Sequence, residues 1–235
     1  MVTIIINSYN DNQNQLREAI GGYQNQKIPC PVEIILSTVA NDPSIETAIS
    51  MGIEKISISP EKGIFKQLNH AIQFADGHWF CVASGNDKPL PNKLIDEHSL
   101  LFRTGKLVCY SAFHSTDKNL KIIATNKFYP YNYKKHLVGN FVIDNAMVSM
   151  EILRKYLPFR EEWGNDAFWD MWLRIYEGEG NVFVYNPVPN FLYRLDGKGR
   201  HFQKKKNKAM WDEDERHRQK MLASHGAKYQ LRKFR

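Results

Sequence analysis

Three groups of side chains in this sequence have types and spacings that could do chemistry. The first is Ser84-Gly85-Asn86-Asp87, oxygen-bearing residues that follow a short apolar run. Such a set suits a hard divalent cation, and that cation in turn suits a diphosphate. Gly-Asn-Asp is equally a turn and helix-capping composition, so on these residues alone a cap is the commoner reading. The second group is Asp166 and Asp170, whose spacing of four puts both carboxylates on one face of a helix. Either could act as a general base if it opened onto a cleft. Acids near a helix start also simply complement the macrodipole, and Asp170 stands one turn from Arg174. The third group is Lys198, Arg200, His201 and the lysines that follow, which read either as a phosphate clamp or as a solvated tail.

The elements that must position these groups alternate through the first half of the chain. Val2–Ile6 is a short apolar run, and Val32–Leu36, Lys55–Ser59 and Trp79–Ala83 are the next strand candidates. Between and after them, Asn12–Gln24, Pro43–Met51, Ile64–Ala75 and Pro91–Phe102 carry apolar residues at helical spacing. Strict alternation predicts an α/β fold with a mostly parallel sheet, right-handed crossovers and helices on both faces. Ligands in such sheets bind beyond the carboxyl ends of the strands. The segments to inspect are therefore Asn7–Asn10, Ser37–Asp42, Ser59–Lys66 and Ser84–Pro91.

The second half is less regular. Leu107–Phe113 and Lys121–Thr125 read as strands, with an antiparallel pairing open to them, and Phe128–Asn140 as an aromatic, basic loop. Glu151–Leu157 and Asn165–Tyr176 read as helices, Val182–Tyr185 and Phe191–Arg194 as closing strands. The Trp169, Trp172, Leu173, Tyr176 stripe reads as core rather than as a sugar platform. A charged helix is predicted around Trp211–Leu222.

Charge is unevenly distributed. The net charge is +7, yet from Lys198 onward there are 13 Lys/Arg against 4 Asp/Glu, leaving the preceding body at −2. That body lacks the basic face usual in nucleic-acid binders, so nucleic acid is not an expected partner. Three widely spaced cysteines without a C-x-x-C argue against a disulfide framework or a cysteine zinc site, and for a reducing, cytoplasmic setting. No apolar run approaches the roughly 18–20 residues of a membrane span, and Met1 leads straight into a strand rather than a signal sequence.

Taken in order, the motifs over roughly residues 2–195 resemble the GT-A type, family 2-like inverting nucleotide-sugar glycosyltransferases. Thr3-Ile4-Ile5-Ile6-Asn7-Ser8-Tyr9-Asn10 is similar to that family's opening strand, and Glu33-Ile34-Ile35-Leu36 to its second. Glu61-Lys62-Gly63-Ile64 with Asn69 and Ala75-Asp76-Gly77 resembles the segment before the metal motif. Ser84-Gly85-Asn86-Asp87 with Pro91 stands at the Asp-x-Asp-Asp position, and Asn165-Asp166 with Trp172-Leu173-Arg174 resembles the acceptor-side helix. The sequence departs from the pattern after the second strand, where Thr38 and Val39 replace acidic residues and Asp42 is the nearest carboxylate. It departs again at Ser84 and Asn86, which leave Asp87 alone to carry charge.

The resemblance implies a GT-A (Rossmann-like) fold with a donor-binding half at 1–105, an acceptor-binding and catalytic half at 106–196, and a basic tail at 197–235. It implies donor contacts at Asn7, Tyr9, Thr38, Asp42, Lys62, Gly63, Asn69, Ser84, Asn86 and Arg200. It also implies a weakly held Mn²⁺ or Mg²⁺ at Asp87, Asn86 and His201, and Asp166 or Asp170 as the base. The donor would be a UDP- or GDP-linked sugar and the acceptor a hydroxyl of a glycan or lipid-linked molecule, with the basic tail touching the membrane surface. A nucleotide-sugar-binding protein without turnover is the alternative that the missing acids suggest.

Overall fold

A computed structural model of the protein describes residues 1–195 and 207–227. Its frame is a seven-stranded sheet. Strand β1 (Val2–Asn7) lies parallel between β2 (Val32–Val39) and β4 (Trp79–Ser84), and β2 in turn pairs in parallel with β3 (Lys55–Ser59). Beyond β4, the short β9 (Met147–Ser149) runs antiparallel and joins it to β6 (Val108–Ser111), which pairs in parallel with β10 (Phe183–Asn186) at the far edge. The order is β3-β2-β1-β4-β9-β6-β10, so one sheet crosses both halves of the chain.

Alternation along β1 explains the layering. Ile5 points to the face covered by α3 (Ile64–Ala71) and α7 (Ala167–Glu179), in a core with Phe65, Leu68, Phe168 and Trp172. Ile4 and Ile6 point to the other face, against Leu16 and Ile20 of α1 (Gln13–Gln24), Ala48 of α2 (Ser44–Ser50) and Leu94 of α4 (Lys93–Thr104). A strand buried on both sides is mostly apolar, as Val2–Ile6 is, with Thr3 its one polar member. Trp169 and Trp172 are both buried, which makes their stripe core.

Several boundaries differ from the sequence expectation. The third helix tightens into a 3-10 turn at Ile72–Phe74, and α4 begins at Lys93 rather than Pro91. The expected strand Leu107–Phe113 divides: β6 stays in the main sheet, while β7 (Phe113–Thr116) enters a second sheet and pairs antiparallel with β8 (Ile122–Asn126). That sheet is completed by β11 (Phe191–Arg194), parallel to β7, and by β5 (Lys88–Pro89), antiparallel to β11. One helical turn, α5 (Tyr133–His136), interrupts the aromatic loop, and β9 leads directly into α6 (Met150–Tyr156). The last helix, α8 (Lys208–Ser224), sets Met221 and Leu222 on Trp169 and Leu173 of α7. No helix among the described residues is long and apolar enough to cross a membrane.

Candidate active site

The site begins where β1 and β4 end side by side, with Asn7 in register with Ser84. Gly85 donates its N–H to the Asn7 carbonyl at 3.1 Å. A side chain at Gly85 would place its Cβ 2.4 Å from an Asp11 carboxylate oxygen, so any larger residue would have to displace that carboxylate. Ser84 Oγ donates to Asn86 Oδ1 at 2.6 Å. Asp87 Oδ1 accepts the backbone N–H of Arg194 at 3.1 Å, from the end of β11. The Arg194 guanidinium is buried, donating to the carbonyls of Asn86 at 3.0 Å and Lys118 at 2.6 Å and pairing with Glu18. Burial pushes the Asp87 carboxyl up to about 7. The Arg194 N–H and charge oppose that rise, while the charges of Asp11 and Asp144 add to it.

Between this edge and the segment before β9 lies a cavity of about 510 Å³. Asn7, Ser84, Asn86 and Asp87 line one side, Asn140–Asn145 the other, and Phe113, Phe128, Phe168, Phe191 and Tyr193 supply apolar surface. The far wall is held from behind. Buried His136 contacts Asn140 Oδ1 through Nε2 at 3.0 Å and the Tyr131 hydroxyl through Nδ1 at 2.9 Å. An oxygen acceptor at Asn140 requires a proton on Nε2, leaving Nδ1 to accept from Tyr131. Burial lowers His136 to about 4, so the ring stays neutral. Lys93, wholly buried with Glu97, donates to the Asn145 carbonyl at 3.1 Å. Asn7 Oδ1 and Asn145 Oδ1 are buried at this cavity with no hydrogen-bond partner among the described residues.

The residues expected to bind a donor fall into three groups. Asn7, Ser84, Asn86 and Asp87 line the cavity together. Tyr9 and Lys62 meet at an exposed rim, the Lys62 Nζ 5.2 Å from the ring centroid, with Gly63 adjoining as the positive-φ residue that opens α3. The others hold the frame. Thr38 is buried and accepts from Ser44 Oγ at 3.1 Å. Asp42 accepts the N–H of Ser44 and of Asn10, each at 2.9 Å, tying the loops after β1 and β2 together. Asn69 spends both ends of its amide on the backbone of Phe159, at 2.8 and 2.9 Å. Lys198, Arg200, His201 and Lys204–Lys206 lie outside the described residues.

Asp166 ends the 3-10 turn Glu161–Asp166, and Asp170 lies one turn on in α7. Arg218 of α8 grips Asp166, with Nε 3.1 Å from Oδ2, and also pairs with Glu215 at 2.5 Å. Asp170 is fully enclosed, with Arg174 at 2.7 Å, His225 at 3.1 Å and Arg160 at 3.3 Å. Burial would raise its pKa, but the His225 hydrogen bond and the two guanidinium charges outweigh that and hold it below the ordinary value.

The fit of a divalent cation is decided by the donor set. Asn86 Oδ1 and Asp87 would be the chain's share of ligands, yet Ser84 already donates to the former and Arg194 to the latter. Among the described residues no group of three or more His, Cys, Asp or Glu is placed to hold a metal ion. A hard cation takes six or more oxygens and favours several carboxylates. Asn86 and Asp87 by themselves are too few ligands for a resident metal, and the third expected ligand, His201, lies outside the described residues.

Three features were not read from the sequence: Asp144 on the cavity wall, Arg194 as the clasp of the 84–87 loop, and the grip of α8 on α7. Asp144 was visible only as a lone acid closing the apolar run Phe141-Val142-Ile143.

This mixed α/β fold is shared with S. aureus TarS. The crystal structure of TarS matches with a TM-score of 0.68 at 14% identity, over 95% of this chain and 42% of TarS, so the chain spans less than half of that protein. TarS 1–349 in complex with UDP matches with a TM-score of 0.65 at 14% identity, over 95% of this chain and 70% of that one. The complex of TarS 1–349 with UDP-GlcNAc gives 0.67 at 13% identity, over 95% and 70%. The chain is also similar to an uncharacterized glycosyltransferase of Methanocaldococcus jannaschii, at 23% identity over 230 residues, covering 90% of this chain and 76% of the relative. No protein-family model matches.

Proposed function

We propose that the protein transfers a sugar from a nucleoside-diphosphate sugar to a hydroxyl of a glycan or lipid-linked acceptor, as an inverting GT-A enzyme. The carrying observation is the cavity at the carboxyl edge of the sheet, which has Asp87 on the donor-side loop and an aromatic, acidic wall opposite. Its place is where α/β sheets bind nucleotides, and the complexes of TarS with UDP and UDP-GlcNAc support a UDP-linked donor. Inversion follows from a single displacement: a carboxylate takes the acceptor proton while the hydroxyl oxygen attacks the anomeric carbon. Asp144 on the cavity wall and Asp166 just before α7 are the candidate bases, whereas the enclosure of Asp170 suits it to holding α8. Charge growing on the departing diphosphate would be met at the rim by Lys62. Mn²⁺ or Mg²⁺ would arrive with the diphosphate rather than reside in the protein. The basic tail suits action at the cytoplasmic surface of a membrane carrying a lipid-linked acceptor.

The test is release of nucleoside diphosphate from a panel of UDP- and GDP-sugars, with water and simple glycosides as acceptors. Turnover with one donor supports the reading. Binding of UDP without release from any donor would select the alternative, a silent nucleotide-sugar binder, which the replacement of two motif acids by Ser84 and Asn86 favours.

A further inference from the structure

Three carboxylates in the second half of the chain are candidates for the base, and they differ in what already holds them. Asp170 has no exposed surface and three cationic partners. Asp166 is nearly buried beneath the Arg218 guanidinium. Asp144 lines the cavity and is open to solvent from it. Among the described residues no hydrogen bond or ion pair reaches its carboxylate. A carboxylate locked in ion pairs is a weak base, because its anion is already stabilised where it lies. The group able to receive a proton from a molecule in the cavity is the one that faces it unengaged.

Its position also fits. Asp144 and Asp87 line the same cavity, and the Asp166 charge is felt at Asp144. Its backbone neighbour is fixed by Lys93, which reaches through from α4 to the Asn145 carbonyl. The wall it sits on is braced by His136 through Asn140.

We propose that Asp144 is the general base of the transfer, an assignment that rests on the glycosyltransferase reading above. In that step the acceptor O–H bond breaks and its proton passes to the Asp144 carboxylate. The hydroxyl oxygen forms the new bond to the anomeric carbon. The bond from that carbon to the phosphate oxygen breaks, and its electron pair leaves with the nucleoside diphosphate. Asp166 is then a positioning residue: it anchors α8 through Arg218, and its charge makes Asp144 more basic. Partial loss of bulk water at the cavity wall, which the side chain still faces, pushes the Asp144 carboxyl up to about 7, with the Asp166 charge adding to the rise. The titratable and charged groups around it are Asp87 on the β4–β5 loop, Asp166 before α7 with Arg218 of α8 beyond, Tyr193 on β11, and the Lys93–Glu97 pair beneath.

The experiment compares the wild type with Asp144→Asn, Asp144→Glu and Asp166→Asn. It uses whichever of UDP-GlcNAc, UDP-glucose, UDP-galactose and GDP-mannose the wild type turns over, with water and methyl glycosides as acceptors. UDP or GDP affinity is measured by calorimetry on the same samples. The expected result is a loss of about 10²–10⁴-fold in kcat for Asp144→Asn, the usual contribution of a general base. Nucleotide affinity should stay within twofold, the acid limb of the wild-type profile near pH 7 should vanish, and Asp144→Glu should recover part of the rate. Asp144→Asn within threefold of wild type, or retention of that limb together with its loss in Asp166→Asn, overturns the assignment alone. A wild type that binds nucleotide but releases none from any donor overturns the glycosyltransferase reading itself, and this assignment with it.

Discussion

His225 places Nε2 3.1 Å from Asp170 Oδ1 and turns Nδ1 to Glu177 at 2.7 Å, so one imidazole bridges two acids of α7. Burial would lower its pKa, but the hydrogen bonds and charges of Asp170 and Glu177 raise it above the ordinary histidine value. A histidine raised on folding contributes most below its unfolded pKa of about 6.5, and that contribution is lost as pH rises through the folded value. Protection factors of the Met221 and Leu222 amides, with the intrinsic base catalysis of exchange divided out, should therefore be highest below about pH 6.5 and fall as pH rises. His225→Ala should abolish that trend and loosen α8 by about 1.5–3 kcal/mol. An unchanged pH trend in the variant would argue that the bridge does not hold α8.

The buried Lys93–Glu97 pair supports the wall that carries Asp144. Lys93 Nζ lies 2.9 Å from both Glu97 oxygens, and Glu97 also accepts from Ser111 Oγ at 2.8 Å and Asn190 Nδ2 at 2.6 Å. Removing one partner strands the other's charge, so Lys93→Met should cost about 3–5 kcal/mol in urea unfolding. Lys93→Met combined with Glu97→Leu should recover much of that loss, since replacing both charges is often near neutral. A double variant as unstable as the single one would place the loss elsewhere.

Asp144 should also cost stability where it is ionised. Its pKa is raised on folding to about 7, so the folded chain holds a proton that the unfolded chain has already released. The penalty is absent below about pH 4, the unfolded carboxyl value, and grows as pH rises towards the folded value. Asp144→Asn should thus melt higher than the wild type at pH 8 and at the same temperature at pH 4. Equal melting temperatures at both would mean that the carboxylate is solvated as in water.

At Asp87, substitution by Asn retains the shape but not the charge. Asp87→Asn should weaken UDP binding in the presence of Mn²⁺ by about tenfold, near 1.4 kcal/mol, and remove any Mn²⁺ enhancement. Calorimetric titrations with Mn²⁺ and with EDTA read both effects, and an Mn²⁺ enhancement that survives the substitution would place the ion elsewhere.

The first half of the chain was legible because its strands and helices are regular and alternating. The structure keeps β1 to β4 where apolar runs placed them. Elements too short to show a period were not legible. Met147–Ser149 merges into the next helix, and Lys88–Pro89 is a two-residue strand that exists only because β11 arrives beside it. The division at Ala112 has no turn residue to announce it. Site residues divide in the same way. Residue type marked Asn69 and Asp42, but their partners lie 90 and 32 residues away, and those partners turn both side chains to the frame. Asp144 has no companion at a telling spacing, and only tertiary placement exposes its position.

The clasp between β11 and the 84–87 loop also orders events in time. Asp87 receives its backbone donor from a residue 107 positions later in the chain, and β5 has no neighbour until Phe191 and Leu192 pair with it. Contacts so distant in sequence form late, because the intervening chain must be closed before they can stabilise anything. During synthesis, which proceeds from the N-terminus, the β1–β4 frame can assemble while the 84–87 loop still lacks its clasp. A ribosome-bound chain stopped before Phe191 would thus carry a folded sheet without a finished site. Competence to engage a ligand at Asp87 would switch on only as the β11 segment emerges.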